Sequence, residues 1–246
     1  MCQALNNLGI IAWHRDKEDR AVPLYEESIA LAREIGDDWA IGRGLNNMAE
    51  VYSDRGEYAK AKPLLEESLA LFRRLGDHWR LAYVIMNLGN VNYHLGDRER
   101  ARHLHEESLA LMREQGDQWG MAYLLMNLGM IALDDGNYDR ANSLYRESLA
   151  ILREMGDKKG MADSLEGIAE AAAKLGHLER AARIWGAEQA LRDAIVLPLP
   201  ATTLERQEQY VAATRAQLDD LVWRAAREEG AALPLERAID YALGEL

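Results

Sequence analysis

A forty-residue period runs through most of the chain and restricts what it can fold into. Glu26-Glu27-Ser28-Ile29-Ala30-Leu31 returns as Glu66 to Leu71, as Glu106 to Leu111 and, altered, as Arg146 to Ile151. Gly36-Asp37 returns as Gly76-Asp77, Gly116-Asp117 and Gly156-Asp157, and Gly56, Gly96, Gly136 and Gly176 fall midway between. The stretches between glycines are helical in pattern: Ala61, Leu64, Leu65, Leu69, Phe72 and Leu75 form one stripe at spacings of three and four. Glycine past a helix end takes the left-handed conformation without a Cβ penalty. The aspartate that follows can accept an orphan N–H of the next helix. Asp16 stands where later units have glycine. Each unit reads as helix, turn, antiparallel helix, turn. One hairpin cannot cover its own apolar face, so consecutive units must stack.

Composition removes several function classes. The net charge of −12 is spread along the chain, with no basic patch to meet a phosphate backbone. The single cysteine, Cys2, excludes a disulfide framework and a cysteine-based zinc site. No apolar run is long enough for a membrane span, and the start lacks a signal-peptide pattern, so a cytoplasmic protein is expected. There is no phosphate-cradling loop, no His-Glu-x-x-His and no nucleophile elbow. His103 and His105, two apart on a helix, point away from each other. No enzyme activity, cofactor or metal is expected.

In the second unit a pattern of large, large, small, aromatic and small residues falls on Leu45, Met48, Ala49, Tyr52 and Ala61, followed by Leu65 and Ser68. These residues resemble the tetratricopeptide repeat family. The unit is longer than the commoner one of about 34 residues, and Arg33, Arg73, Arg113 and Arg153 continue the second helix where that family often has proline. The longer variety is similar to the repeats of kinesin light chains, spindle-orientation adaptors and bacterial regulators. The resemblance implies an all-α, right-handed superhelical solenoid of antiparallel helix pairs. Five repeats cover residues 1–193, the first lacking its opening turn, and capping helices cover 194–246.

In such an array the first helix of each unit lines the concave side. The stripes there are Gln3, Asn7, Ile10, His14; Arg43, Asn47, Glu50, Asp54; Tyr83, Asn87, Asn90, His94; and Tyr123, Asn127, Met130, Asp134. Asn recurs at the second position four times and gives way to Gly167 in the fifth unit. An asparagine ladder can donate to and accept from the backbone of an extended peptide, as the resemblance implies for kinesin light chains and spindle adaptors. Alternatively, each Asn bonds a neighbouring helix and fixes packing. The candidate peptide-binding residues are Asn7, Arg43, Asn47, Glu50, Tyr83, Asn87, Asn90, His94, Tyr123, Asn127 and Met130. Arg43 is the one cation in these stripes, and acidic residues lie beside it, so a neutral or basic partner segment is expected, with no nucleic acid and no membrane. Trp39, Trp79 and Trp119 read most simply as packing between repeats.

Past Asp193 the pattern changes. Ala194 to Pro200 breaks the helix, Thr202 or Thr203 can cap a new one running to about Glu229, Gly230 stops it, and Pro234 opens a last short helix. Leu204, Val211, Leu218, Leu221, Val222 and Trp223 are the expected buried face of the long helix. Trp185 to Leu191, Leu197 to Pro200 and Leu235 to Leu243 resemble the C-terminal end of large bacterial ATPase-type transcriptional regulators of the LuxR- and AfsR-like kind. That resemblance implies a second reading, a sensor or regulatory fragment of such an ATPase. With Leu5, Leu8 and Ile11 uncovered at the start, a shortened chain or a homodimer through that end is expected.

Overall fold

Residues 1–15, 18–198 and 201–244 are described by a computed structural model, without the side chains of residues 18, 19 and 201–203. Asp16, Leu199 and Pro200 lie outside the described residues, as do the side chains of Thr202 and Thr203. The described residues form thirteen α-helices and no strand, in two compact units, Met1–Asp117 and Gln118–Leu246.

The first unit holds α1 (Cys2–Trp13), α2 (Glu18–Ile35), α3 (Asp38–Asp54), α4 (Tyr58–Leu75), α5 (His78–His94) and α6 (Arg98–Gln115). Each helix packs on the next. The turns obey the local chemistry: Gly76 has φ +67° and ends α4, and the Asp77 carboxylate then accepts the Arg80 N–H at 3.1 Å to open α5. A second device recurs inside each pair. The hydroxyls of Ser28, Ser68 and Ser108 donate to the carbonyls of Cys2, Gly42 and Ala82, each 26 residues back. Between pairs, Arg33 meets Glu67 at 2.7 Å and Arg73 meets Glu107 at 2.9 Å, both exposed and worth little individually.

The second unit holds α7 (Gln118–Asp134), α8 (Tyr138–Met155), α9 (Lys158–Lys174), α10 (Leu178–Ile195), α11 (Ala201–Arg215), α12 (Asp220–Ala232) and α13 (Leu235–Leu243). Ser148 repeats the serine bond, to Ala122 O. The residue ending α10 occupies the position of Gly36, Gly76, Gly116 and Gly156, yet it is Val196, held left-handed at φ +54°.

The expected long helix to Glu229 is instead two helices. The Asp219 carboxylate accepts from Leu221 N at 2.8 Å and caps α12 in mid-segment. Gly230 does not stop a helix but lies inside α12, pressed on the backbone of Arg183 in α10. Trp223 is buried 6.3 Å from Trp185, whereas Leu204 and Leu221 are exposed. Pro234 does open the last helix. Arg153 reaches Glu236 and Asp240, and Arg180 donates to the carbonyls of Tyr241 and Ala242, tying α13 to α8 and α10.

Candidate binding clefts on the first helices

In the first unit, helices α3 and α5 place their stripes side by side. Arg43, Asn47, Glu50 and Tyr83 line one cleft of about 190 Å³, joined by Asn46, Phe72, Trp79, Arg80 and Val84. The asparagines are held rather than free. Asn47 Nδ2 donates to Asn6 at 3.1 Å, and Asn87 Nδ2 donates to Asn46 Oδ1 at 3.1 Å and to Glu50 Oε1 at 2.8 Å. Asn46 Nδ2 also donates to Glu50 Oε1 at 2.8 Å. Burial raises the Glu50 carboxyl above the usual carboxylate range, and these two amides oppose the rise. Asn7 is exposed and accepts from Arg43 at 2.5 Å.

The aromatic residues complete the cleft. Arg80 lies 4.4 Å from the Trp39 ring centre and 5.3 Å from that of Trp79, and Arg43 lies 5.4 Å from Trp39. Burial and the neighbouring Arg80 charge both lower the Arg43 pKa. Trp39 donates its Nε1–H to Asp77 at 3.2 Å and is half-buried, in keeping with packing. Trp79 is 51% exposed, tilted against Tyr83 at 4.8 Å, and lines the cleft. Tyr83 donates to Asp117 at 2.5 Å, and its phenol is pushed up by burial and by that carboxylate. His94 stacks on Tyr58 at 4.4 Å and, like Asn90, lies outside this lining.

In the second unit Asn127 and Met130 line another pocket of about 270 Å³ with Met126, Tyr145, Asp163, Glu166 and Gly167. Tyr123 donates to Asp157 at 3.4 Å, its phenol is pushed up to about 12, chiefly by burial, and its ring lies 4.3 Å from Trp119. Gly167 replaces the recurring Asn for a steric reason: a Cβ there would meet the Tyr145 ring at 2.4 Å. Arg192 and Arg206 line the pocket as well, and Arg192 is held by Asp163 at 2.8 Å, by Glu166 at 3.2 Å and by Glu188.

Sequence reasoning read Trp79 as packing and did not single out Arg80 or this carboxylate group. One signal was available, because Glu166 stands where Met86 and Met126 stand in the two preceding units. Among the described residues no group of three or more His, Cys, Asp or Glu side chains is placed to hold a metal ion. No helix among them is long and apolar enough to cross a membrane.

The tetratricopeptide repeat family matches residues 1–74, 40–114 and 121–155. The chain belongs to the tetratricopeptide repeat family. Several solved structures share the fold of this repeat chain. BtubC (BKLC) from P. vanneervenii is 20% identical over 80% of this chain and 82% of its own, with a TM-score of 0.70. The apo form of RapI is 15% identical over 92% and 81%, with a TM-score of 0.74. The signal transduction ATPase with numerous domains PH0952 from Pyrococcus horikoshii, which has a tetratricopeptide repeat sensor, is 16% identical with a TM-score of 0.71. It covers 97% of this chain, which spans 37% of that one. At these identities the likeness speaks to fold. No curated protein sequence matches the chain.

Proposed function

We propose that this repeat chain is a protein- or peptide-binding scaffold with no catalytic step of its own, binding through the first-helix faces in each unit. The observation that carries the reading is the cleft between α3 and α5. It combines a half-exposed Trp79, the amides of Asn46 and Asn47 and two guanidiniums, a mixture suited to an extended segment. Asn47 and Asn87 serve first as ties between helices, and of the two Asn47 lines the cleft. A neutral or basic segment remains the favoured partner, and its basic part belongs in the second unit. In this reading residues 194–246 cap the repeats, with α12 and α13 covering the last pair.

The test is an array of immobilised peptides probed with wild type and with Trp79→Ala/Arg80→Ala. Trp79 is half-exposed, and Arg80, though partly buried and paired with Asp77, takes no part in the asparagine ties, so the variant should keep its helices, which far-UV circular dichroism verifies. Peptides held by wild type and lost by the variant support the reading. Undiminished binding by a folded variant overturns it.

A second reading is the sensor arm of a signal-transducing ATPase regulator. Its support is the likeness to the repeat-bearing ATPase, which extends over nearly all of this chain. An NTPase motif encoded upstream of Met1 in the source gene would favour it, and an unrelated upstream gene would count against it.

A further inference from the structure

Buried charge in the second unit does not balance. Glu166, Glu170 and Glu188 are 4%, 0% and 1% exposed, and Arg192, at 4%, is the one equally buried cation facing them among the described residues. Arg206 comes within 3.2 Å of Glu170 but is a third exposed. Arg192 is fully engaged by Asp163, Glu166 and Glu188, and Glu188 also accepts from Gln207 at 3.2 Å. Three oxygens of the group, Glu166 Oε1 and both of Glu170, are shut off from solvent with no hydrogen-bond partner, although Glu170 Oε2 lies near Arg206. A buried carboxylate in excess needs either a proton or an additional cation.

The pocket lined by Glu166 has an apolar wall of Met126, Met130, Leu197 and Pro198 and a charged one, where Asp163 and Glu166 stand with Arg192 and Arg206. An apolar stem ending in a positive charge matches that division, because such a group buries its methylenes and keeps its head on polar atoms. Lys159 also lines the pocket but is exposed, and the two arginines are already paired with carboxylates.

We propose that this pocket binds an alkylammonium or alkylguanidinium group, its stem on Met126 and Met130 and its head against Asp163 and Glu166. The group is either the side chain of a basic residue in a bound segment or a free small amine. The first source deepens the peptide-binding reading and rests on it; the second does not. Without a ligand, burial, with the neighbouring Glu170 and Glu188 charges, pushes the Glu166 carboxyl up to about 8. Burial likewise pushes Glu170 up to about 7 against the pull of Arg206. Around them stand Asp134 on α7, Tyr145 on α8, Lys174 on α9 and Tyr210 on α11. A cation seated on Glu166 therefore displaces its proton to solvent.

The experiment follows the methionine methyls by NMR while n-butylammonium, n-butylguanidinium, butyrate or n-butanol is added near pH 7. The expected result is saturable movement of the Met126 and Met130 signals with the two cations only. Glu166→Gln, which keeps the shape and an acceptor for Arg192, weakens that binding about tenfold or more, the scale of one charge-assisted contact. Calorimetry in buffers of different ionisation enthalpy shows proton release for wild type and none for the variant.

A parallel arm uses acetylated, amidated Gly-Gly-Lys-Gly-Gly. Tighter binding than n-butylammonium assigns the pocket to a basic side chain. Binding of the amine alone assigns it to a small molecule and removes the peptide from this end. Equal response to butyrate or butanol, or no response to either cation at tens of millimolar, overturns the proposal. The Trp79 test of peptide binding is unaffected by that failure.

Discussion

A Cβ on Gly230 would lie 1.9 Å from the carbonyl oxygen of Arg183, and one on Gly186 would lie 2.2 Å from that of Arg227. The two glycines let α12 rest directly on the backbone of α10 at both ends of one contact. Neither neighbour can give, since both are backbone. Gly230→Ala and Gly186→Ala should each cost several kcal/mol, roughly the upper end of single substitutions. The near-ultraviolet signal of Trp185 and Trp223, packed beside this crossing, should weaken while far-ultraviolet helicity persists.

Val196 takes the left-handed backbone that glycine takes at the four equivalent positions. A β-branched side chain is strained there, and its side chain is 86% exposed, so it gains nothing by contact. Val196→Gly should raise stability by about 1 kcal/mol in chemical denaturation, less the entropy glycine adds to the unfolded chain.

The raised Glu166 and Glu170 carboxyls give the second unit an inverted pH dependence. The folded unit holds their protons up to about 8 and about 7, while the unfolded chain releases them near the ordinary carboxylate value. Their contribution is complete in acid below that value and is lost as pH rises through 7 and 8. Thermal unfolding followed at the tryptophans should therefore fall between pH 5 and pH 9, and Glu166→Gln should flatten the fall.

His105 does the reverse in the first unit. Burial holds its imidazole down at about 4, and its Nδ1 has no hydrogen-bond partner. Its contribution is present above the unfolded value and lost as pH falls from about 6.5 towards 4. Leu65 fills the equivalent place one repeat earlier. His105→Leu should thus broaden acid tolerance in that window, measured as the urea midpoint at pH 7 and pH 4.5.

Asn87 carries a separable structural role through its bond to Glu50. Asn87→Ala removes a charge-assisted donor from a buried carboxylate, a loss of about 1–3 kcal/mol. The cost should be greater at high pH than in acid, where Glu50 carries a proton. Equal cost at both pH values would show that the bond to Glu50 is not what Asn87 supplies.

Much of this architecture is legible in the sequence because its causes are local. The glycine turns, the capping aspartates and the apolar stripes depend on residues a few positions apart. The break between α11 and α12 is local too, but apolar periodicity runs on through Leu218, Leu221 and Val222 and masks the Asp219 cap. The carboxylate group could not be assembled from spacing alone. Glu166 acquires its chemistry from Arg192, 26 residues on, and Glu188 from Gln207 on another helix. The asparagine stripe is visible as a pattern, while its bonds to Asn6, Asn46 and Glu50 depend on how neighbouring pairs meet.

The serine bond has a consequence for how such chains change length. In the first unit every serine clip inside a pair spans 26 residues, and ties between pairs include spans of 34 for Arg33–Glu67 and Arg73–Glu107 and of 41 for Asn47–Asn6 and Asn87–Asn46. The serine clips and the arginine–glutamate ties refer to the same period, so removal or duplication of one whole period joins their donors to equivalent acceptors, whereas the asparagine ties do not repeat, because Met86 stands one period after Asn46. Genetic recombination can therefore lengthen or shorten the array in single steps without re-evolving those two kinds of contact, provided the cut respects the period.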